Sequence, residues 1–461
     1  MTGLPANLIR LLRKQLGPDA IIEELGARRS YGYDNSRRRG TPDLVVLPID
    51  HQQVRSIVTL CYEQGLPLIS RGRGTGTTGA TVPDQGGIVL STERMTTRLD
   101  IDADNRLAIV SPGHTNEALQ QAAAKQGFFW PPDPTSAAFC SIGGNLAYNS
   151  AGPRAIKYGT PRENTLGLTA VTGRGETLHT GSRTTKGVVG YDLTRLLVGS
   201  EGTLAVFTEA ILKLSPLPQR IQTLQVLYRD IASAAAAVSR IMRQPVTPYT
   251  LEFIDGNAIN MIREYAGIAL PQSGAMLMIE VDGSDASLAS DVDAVVAAAE
   301  GDGFVACNRA RDDAERQALW KVRKALSPAL RNIAPKKINE DVVVPVSRMP
   351  TLIEGLNILS ERYRVPIVNF GHAGNGNIHV NLLVNPDDAD EMRRAHACLD
   401  EVFSLVLELK GTLSGEHGVG LEKRDFVKRE LDAVSLRIMH ELKTVFDPKG
   451  IMNPGKMLPP L

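Results

Sequence analysis

The chain has 461 residues with 51 basic and 51 acidic side chains, a formal net charge of zero, so it has no excess cation with which to bind long nucleic acid through a global field. With 43% hydrophobic and 22% charged residues its composition is that of a globular rather than a disordered protein, and its 42 glycines exceed the usual share of about 7%. No run approaches the roughly 18 apolar residues of a membrane span, and Cys61, Cys140, Cys307 and Cys398 are too scattered for a disulfide scaffold, a zinc knuckle or an iron–sulfur cluster. Buried free thiols in a cytoplasmic protein are the expectation.

The N-terminal Leu/Ile run, interrupted by Arg10, Arg13 and Lys14, reads as an amphipathic surface helix, not an export signal. Arg37-Arg38-Arg39 reads as a solvated basic turn, with a docking patch for an electron-accepting partner or an anionic membrane surface as the sharper alternative. Leu44 to Leu47 is a short strand. Asp50 and Gln53 then form a capping box, Val54, Ile57, Val58 and Cys61 recur at helical spacing, Gly65 closes the helix, and Leu66 to Ser70 is a second strand, parallel to the first.

That strand runs into Arg71-Gly72-Arg73-Gly74-Thr75-Gly76-Thr77-Thr78-Gly79, where Gly74, Gly76 and Gly79 satisfy G-x-G-x-x-G. A dinucleotide fingerprint needs a helix opening at its end, and Pro83, Gly86 and Gly87 forbid one here. Bare glycines can still let backbone N–H groups converge on a pyrophosphate, with Thr and Arg adding donors. Pro134-Thr135-Ser136, Ser141-Ile142-Gly143-Gly144-Asn145, Asn149-Ser150-Ala151-Gly152 and Gly199-Ser200-Glu201-Gly202-Thr203-Leu204 concentrate the small polar residues that a long ligand threaded over backbone would need.

Ser215-Pro216-Leu217-Pro218 reads as a linker. Beyond it, strands Thr223–Tyr228, Tyr249–Ile254, Met276–Asp282 and Phe304–Cys307 alternate with helices Ile231–Arg243 and Ser287–Glu300, an antiparallel α+β unit. Arg323 and Ser327 share a helix face, and a lone Arg there is otherwise a solvated charge. Next, Gly371-His372-Ala373-Gly374-Asn375-Gly376-Asn377-Ile378-His379-Val380-Asn381 crosses a glycine loop into a strand whose alternation puts His379 and Asn381 on one face. A helix follows over Ala389–Lys410, and then Gly415-Glu416-His417-Gly418-Val419-Gly420 sets a carboxylate beside an imidazole. Two imidazoles and a carboxylate form a divalent-metal set for zinc, manganese or iron. His51, His114, His179, His396 and His440 read as ordinary core or surface residues.

The R-G-x-G-T loop, the P-T-S and I-G-G-N segments and G-S-E-G-T-L resemble the flavin domain of the vanillyl-alcohol oxidase-like superfamily, and the resemblance runs on to Asn453-Pro454-Gly455-Lys456. The branch it looks like is that of the D-lactate, glycolate and D-2-hydroxyglutarate dehydrogenases. The implied fold is α+β: a two-part PCMH-type FAD-binding domain (1–217, core about 41–217, with 411–461 returning to it) and an antiparallel α+β cap for the substrate (218–410). The implied cofactor is FAD, non-covalent because no His or Cys lies between Arg71 and Ala80. It would be held by Arg71, Gly72, Arg73, Gly74, Thr75, Gly76, Thr77 and Gly79, then by Pro134, Thr135, Ser141, Gly143, Gly144 and Asn145, and lastly by Asn149, Ser150, Gly152, Glu201, Gly202, Val206 and Asn453.

By the same resemblance, His372, His379 and Glu416 hold one divalent metal, zinc first, and His417 is the catalytic base. Arg323 grips the substrate carboxylate, with Ser327, Asn381 and Lys337 as further substrate contacts. Asn375 stands where relatives carry Asp. Aligning Lys336 or Lys337 with the Lys that relatives use for a distal carboxylate needs a one- or two-residue shift, so D-lactate comes before D-2-hydroxyglutarate. The implied activity is oxidation of a D-2-hydroxy acid to the 2-oxo acid by hydride transfer to flavin N5. Without cluster cysteines, electrons must leave to an electron-transfer flavoprotein, an iron–sulfur subunit, a cytochrome, a quinone or oxygen. The expected setting is cytoplasmic, with peripheral attachment to a membrane through the acceptor; a homodimer is compatible. The other readings are a glycolate oxidase FAD subunit, a non-catalytic flavin-binding subunit of a larger complex, and a zinc hydrolase without flavin.

Overall fold

The computed structural model describes residues 3–265 and 272–460. The chain divides into two compact units, one of residues 1–152, 159–217 and 416–461 and one of residues 153–158 and 218–415. The crossing at 217/218 falls inside the proline-rich linker. Residues 153–158 sit with the second unit, and so do 411–415, because Thr412 bridges to Val343.

The first unit holds two larger sheets and a two-stranded one. In one, Leu44–Val46 and Leu68–Arg71 run parallel, but each pairs with Ile88–Ser91, which lies between them. The helix His51–Gln64 that joins the outer two starts as its sequence requires: Asp50 Oδ1 accepts the Gln53 N–H at 2.8 Å, and Gly65 ends it at φ 65°. Its Val54, Ile57, Val58 and Cys61 are buried against the sheet. The second sheet is antiparallel, in the order Leu99–Asp102, Leu107–Val110, Ala205–Lys213, Thr165–Thr172, Thr177–Gly181. Part of the expected linker is strand, since Ser215 and Pro216 pair with Phe129 and Phe128. The C-terminal tail lies along the strand that feeds the glycine loop: Leu68 N–H donates to Ile451 O at 2.8 Å and Asn453 N–H to Leu68 O at 2.9 Å.

The second unit is built on one seven-stranded antiparallel sheet, ordered Phe304–Arg309, Arg220–Tyr228, Ala275–Gly283, Thr250–Asp255, Ile367–His372, Asn377–Val384, Lys336–Val343. Alternation divides its faces. Leu251, Phe253, Ile279, Val281, Ile378 and Val380 belong to one face, packed on helices Ile231–Arg243, Met349–Tyr363 and Ala389–Glu408. On the other, register aligns Glu280, Glu252, His372, His379, Asp341 and Asn381, and helix Asp313–Ile333 lies over part of that face through Val322, Leu326 and Leu330. Buried polar groups on a central strand are tolerated only if they are satisfied, so this face carries the site and the first carries the stability. Phe253 is fully buried on the apolar face. Phe253→Ala should cost about 3–5 kcal/mol, read as a lower thermal unfolding temperature.

Candidate active site

In the first unit the glycine loop leaves Leu68–Arg71 and runs through turns to Ile88–Ser91 with no α-helix at its end. Its glycines are there for close approach. Gly74 has φ 67°, and a Cβ there would lie 2.0 Å from Arg71 Nη2; a Cβ on Gly72 would lie 2.4 Å from Ser141 Oγ. Arg71 is buried, with Nη1 donating to Tyr33 O at 2.8 Å. The loop is held from behind by Asn35 N–H on Gly76 O and by Gly79 N–H on Asp34 Oδ2, both 2.9 Å. The S-I-G-G-N segment, singled out for its small polar residues, is a helix over Ile142–Tyr148 capped by Ser141, whose Oγ accepts the Gly144 N–H at 3.2 Å.

Together these elements line a cleft whose walls include Arg71, Gly72, Gly143, Gly144, Glu201, Gly202 and Val206. Ser70, Tyr148 and Phe207 line it too; nothing in their spacing marks them. A backbone-walled cleft with a buried guanidinium at its edge suits an extended pyrophosphate ligand. Other expected cofactor residues shape the walls instead. Asn145 is bonded to Asn116 at 3.1 Å, and Asn149 accepts from Thr160 Oγ1 and Arg162 N–H at 2.9 Å each. Asn453 takes the Ser70 N–H at 2.9 Å and donates to Glu201 O at 2.6 Å. Pro134 O accepts the Ala137 N–H at 2.8 Å, and Asn35 Nδ2 donates to Thr75 O at 3.1 Å. Arg73, Thr77 and Thr135 are not among the cleft-lining residues. Of the basic turn 37–39, Arg38 is paired with Glu422 at 2.5 Å.

The Glu416-His417 dipeptide also belongs to this unit. Gly152 N–H donates to Glu416 Oε2 at 2.8 Å, and Ser150 Oγ to Glu416 O at 3.4 Å, so one expected cofactor residue holds the expected metal carboxylate and a second holds the backbone carbonyl of the same residue. Glu201 does not aim its carboxylate at the cleft. Its oxygens accept the N–H groups of Val419 at 2.6 Å and Gly420 at 2.8 Å. Burial raises the Glu201 carboxyl to about 7, against the pull of those two N–H groups and of Lys423.

The second unit brings together most of the other residues singled out. His372 and His379 have ring centroids 5.3 Å apart, edge to face. His372 Nδ1 contacts Glu252 Oε1 at 2.5 Å, and the other oxygen of Glu252 takes Arg323 Nε at 2.6 Å. Arg323 is buried and stacks over Phe370, 4.9 Å from the ring centre. Burial alone would push the Glu252 carboxyl up; the charges of His372 and Arg323, and their hydrogen bonds, hold it at about 2. Asp341 pairs with His379 across the strands, with Oδ1 3.7 Å from Nδ1. It also takes Asn377 Nδ2 at 2.6 Å and the Gly415 N–H at 2.9 Å, one residue before Glu416.

Asn381 lies across from Asn339 and donates to Val368 O and His379 O at 3.1 and 3.0 Å. Lys337 is on the same face of its strand as Asn339 and Asp341, farthest from His379. Asn375 is exposed, so the Asp-to-Asn departure there removes no buried partner of the histidines. The side chain of Ser327 lies outside the described residues. Sequence reasoning missed Glu252 and Asp341; for Glu252 an acid inside the apolar strand Thr250–Asp255 was the available signal, while Asp341 follows Glu340 in the polar strand Lys336–Val343 and carries no such mark.

The cleft and the fold define a flavin-binding oxidoreductase. A family model described as an FAD binding domain matches residues 42–181, and one described as the C-terminal domain of FAD linked oxidases matches 217–457. The chain belongs to the FAD-linked oxidases. It is 39% identical over 443 residues to the glycolate oxidase subunit GlcD of Bacillus subtilis, covering 96% of this chain and 94% of that one. It is 35% identical to a D-lactate dehydrogenase of Archaeoglobus fulgidus, covering 95% and 97%. Among solved structures, p-cresol methylhydroxylase aligns with a TM-score of 0.82 at 17% identity over 99% of this chain and 98% of that one, a shared PCMH-type fold.

Two outcomes test this geometry. Gly74→Ala should lower FAD retention, because a side chain at that left-handed position meets Arg71; the ratio of flavin to protein absorbance after gel filtration reads it. Glu252 has a folded value near 2, below the ordinary 4.5, so its stabilising contribution is complete above about 4.5 and is lost as pH falls toward 2. Glu252→Gln should therefore be less stable at neutral pH by about 3–5 kcal/mol, since the buried Arg323 guanidinium loses its carboxylate and His372 its hydrogen-bond partner. Its acid limb should be shallower than wild type, with the two proteins converging near pH 2 in denaturant titrations.

Proposed function

We propose that this chain oxidises a short D-2-hydroxy acid, D-lactate first, to the 2-oxo acid, with FAD as the acceptor and one divalent metal, zinc first, at the His372–His379 pair. The observation that carries the metal is the convergence of two imidazoles on one buried sheet face beside two carboxylates. Glu252 on Nδ1 of His372 turns Nε2 of that ring toward ligation, the usual way a carboxylate orients a metal-binding His. By its motif Glu416 would be the carboxylate ligand. This donor set, imidazole and carboxylate, suits zinc, manganese or iron.

Bound FAD supplies a hydride acceptor, and a bound cation supplies Lewis acidity toward a chelating hydroxyl and carboxylate. The chain's own residues supply the rest. His417 accepts the hydroxyl proton on a ring nitrogen. Arg323, fixed by Glu252 through Nε, presents its remaining guanidinium N–H groups to the substrate carboxylate. Beyond the His379–Asp341 pair, the next side chains along the same face are Asn381 and Asn339, and Lys337 comes only after them. A longer diacid thus meets amides before an ammonium, which favours a short acid. Glycolate is the second reading, favoured by the B. subtilis relative named as a glycolate oxidase subunit. That name also supports an electron-accepting partner: an electron-transfer flavoprotein, an iron–sulfur subunit, a cytochrome or a quinone.

Anaerobic titration of the flavoprotein with D-lactate, L-lactate, glycolate, D-malate and D-2-hydroxyglutarate should bleach the flavin fastest with D-lactate. No bleaching by any of them sinks the proposal. A chelator should abolish reduction without releasing FAD. His417→Ala should slow reduction at least about 10²-fold at unchanged flavin content.

A further inference from the structure

Glu201 lies in a segment expected to touch the cofactor, yet its carboxylate is committed elsewhere. Both oxygens accept backbone N–H groups of consecutive residues, Val419 and Gly420, which follow His417 by two and three positions. With the carboxyl ionised these bonds are charge-assisted, about twice as strong as neutral ones. The backbone of Glu201 is held just as firmly. Its N–H donates to Ala147 O at 2.8 Å, and its carbonyl accepts Asn453 Nδ2 at 2.6 Å. Glu201 adopts φ 52°, a left-handed conformation uncommon for a residue with a Cβ, and that turn lies within this network.

The receiving loop is shaped to the carboxylate. Gly418 has φ 83°, and a Cβ there would lie 2.7 Å from Glu201 Oε1 and 2.7 Å from Tyr148 Cδ1. At Gly420 a Cβ would lie 2.2 Å from Thr78 O, which accepts the Leu421 N–H at 2.8 Å. On its near side, Thr78 Oγ1 donates to His417 O at 3.4 Å. The loop that carries His417 therefore rests on the glycine loop, and its downstream arm is gripped by one carboxylate.

We propose that Glu201 is a positioning residue for His417: it anchors the 418–420 backbone, so that the imidazole is held in place relative to the cleft that Glu201 itself helps to line. This rests on the reading of His417 as the proton acceptor.

The test uses the FAD-loaded protein and Glu201→Gln, which keeps the shape but turns an amide N–H₂ toward one of the two backbone donors. FAD should remain at the wild-type ratio. Amide hydrogen exchange in peptides covering 416–420 should rise about tenfold, while peptides covering 71–79 stay unchanged. The limiting rate of flavin reduction by the preferred hydroxy acid should fall about 10- to 100-fold, with the apparent substrate dissociation constant within about threefold. Glu201→Asp, with both acceptor oxygens on a shorter arm, should recover part of the rate and part of the protection. Gly418→Ala, which leaves the carboxylate but crowds it, should reproduce the exchange and rate defects if Glu201→Gln does not fold.

Loss of FAD together with rate would make Glu201 a cofactor contact and overturn the proposal. So would unchanged exchange at 416–420, or faster exchange with an unchanged rate. A wild-type reduction rate in His417→Ala would instead overturn the reading of His417 as base, and the exchange data would still report the anchor.

Discussion

The cleft of the first unit depends on one side chain from the far end of the sequence. The amide of Asn453 accepts the Ser70 N–H and donates to Glu201 O at 2.6 Å and to Ala80 O at 3.3 Å. Those three groups sit at the entrance to the glycine loop, at its exit, and on the left-handed turn of G-S-E-G-T-L. No hydrophobic contact could fix three backbone segments with such direction, because apolar attraction has no preferred angle. The buried amide does so because each of its bonds, once water is excluded, is costly to lose. Backbone pairing of the tail with Leu68 sets the register from which the amide reaches out.

The second unit solves a different problem. A face bearing Glu252, Glu280, Asp341, His372 and His379 would be unaffordable if those groups were buried singly, so they are buried as pairs and triads. Glu252 is shared between His372 and Arg323; Glu280 takes both Arg316 and Trp320 at 2.8 Å. The helix Asp313–Ile333 supplies three of these donors from a single face, Arg316, Trp320 and Arg323, at the three- and four-residue spacing that puts side chains in line. Rigidity of the imidazoles follows from this pairing.

Much of this could be read from the amino acids before any coordinates. Asp50, Gly65 and the apolar spacing between them specify the first helix in full, because capping and amphipathicity are local. Five of the seven strands of the second unit, the four from Thr223 to Cys307 and the one carrying His379, were legible from local apolar patterning; Lys336–Val343 and Ile367–His372 were not. Three further things were not legible. That Ile88–Ser91 would insert between the two strands predicted as parallel is a matter of long-range pairing, which no local pattern encodes. That I-G-G-N-L-A-Y is a helix ran against two glycines of low helix propensity; the Ser141 cap and packing against the glycine loop prevail. Glu252 and Asp341 became functional candidates only when sheet register set them opposite His372 and His379, positions 120 and 38 residues away. For Glu201 the motif was visible but the direction of its carboxylate was not.

Assembly order is constrained by the same tail. The bond between Asn453 and Glu201 joins residues 252 apart in sequence, and at synthesis rates of about 5–20 residues per second that separation corresponds to roughly 13–50 s of translation. Every residue of the second unit beyond 153–158 emerges from the ribosome within that interval. The glycine loop and the G-S-E-G-T-L turn must wait through it, without the amide that joins them. A nascent chain can thus complete its seven-stranded sheet first, and a pocket able to retain FAD is among the last features to form.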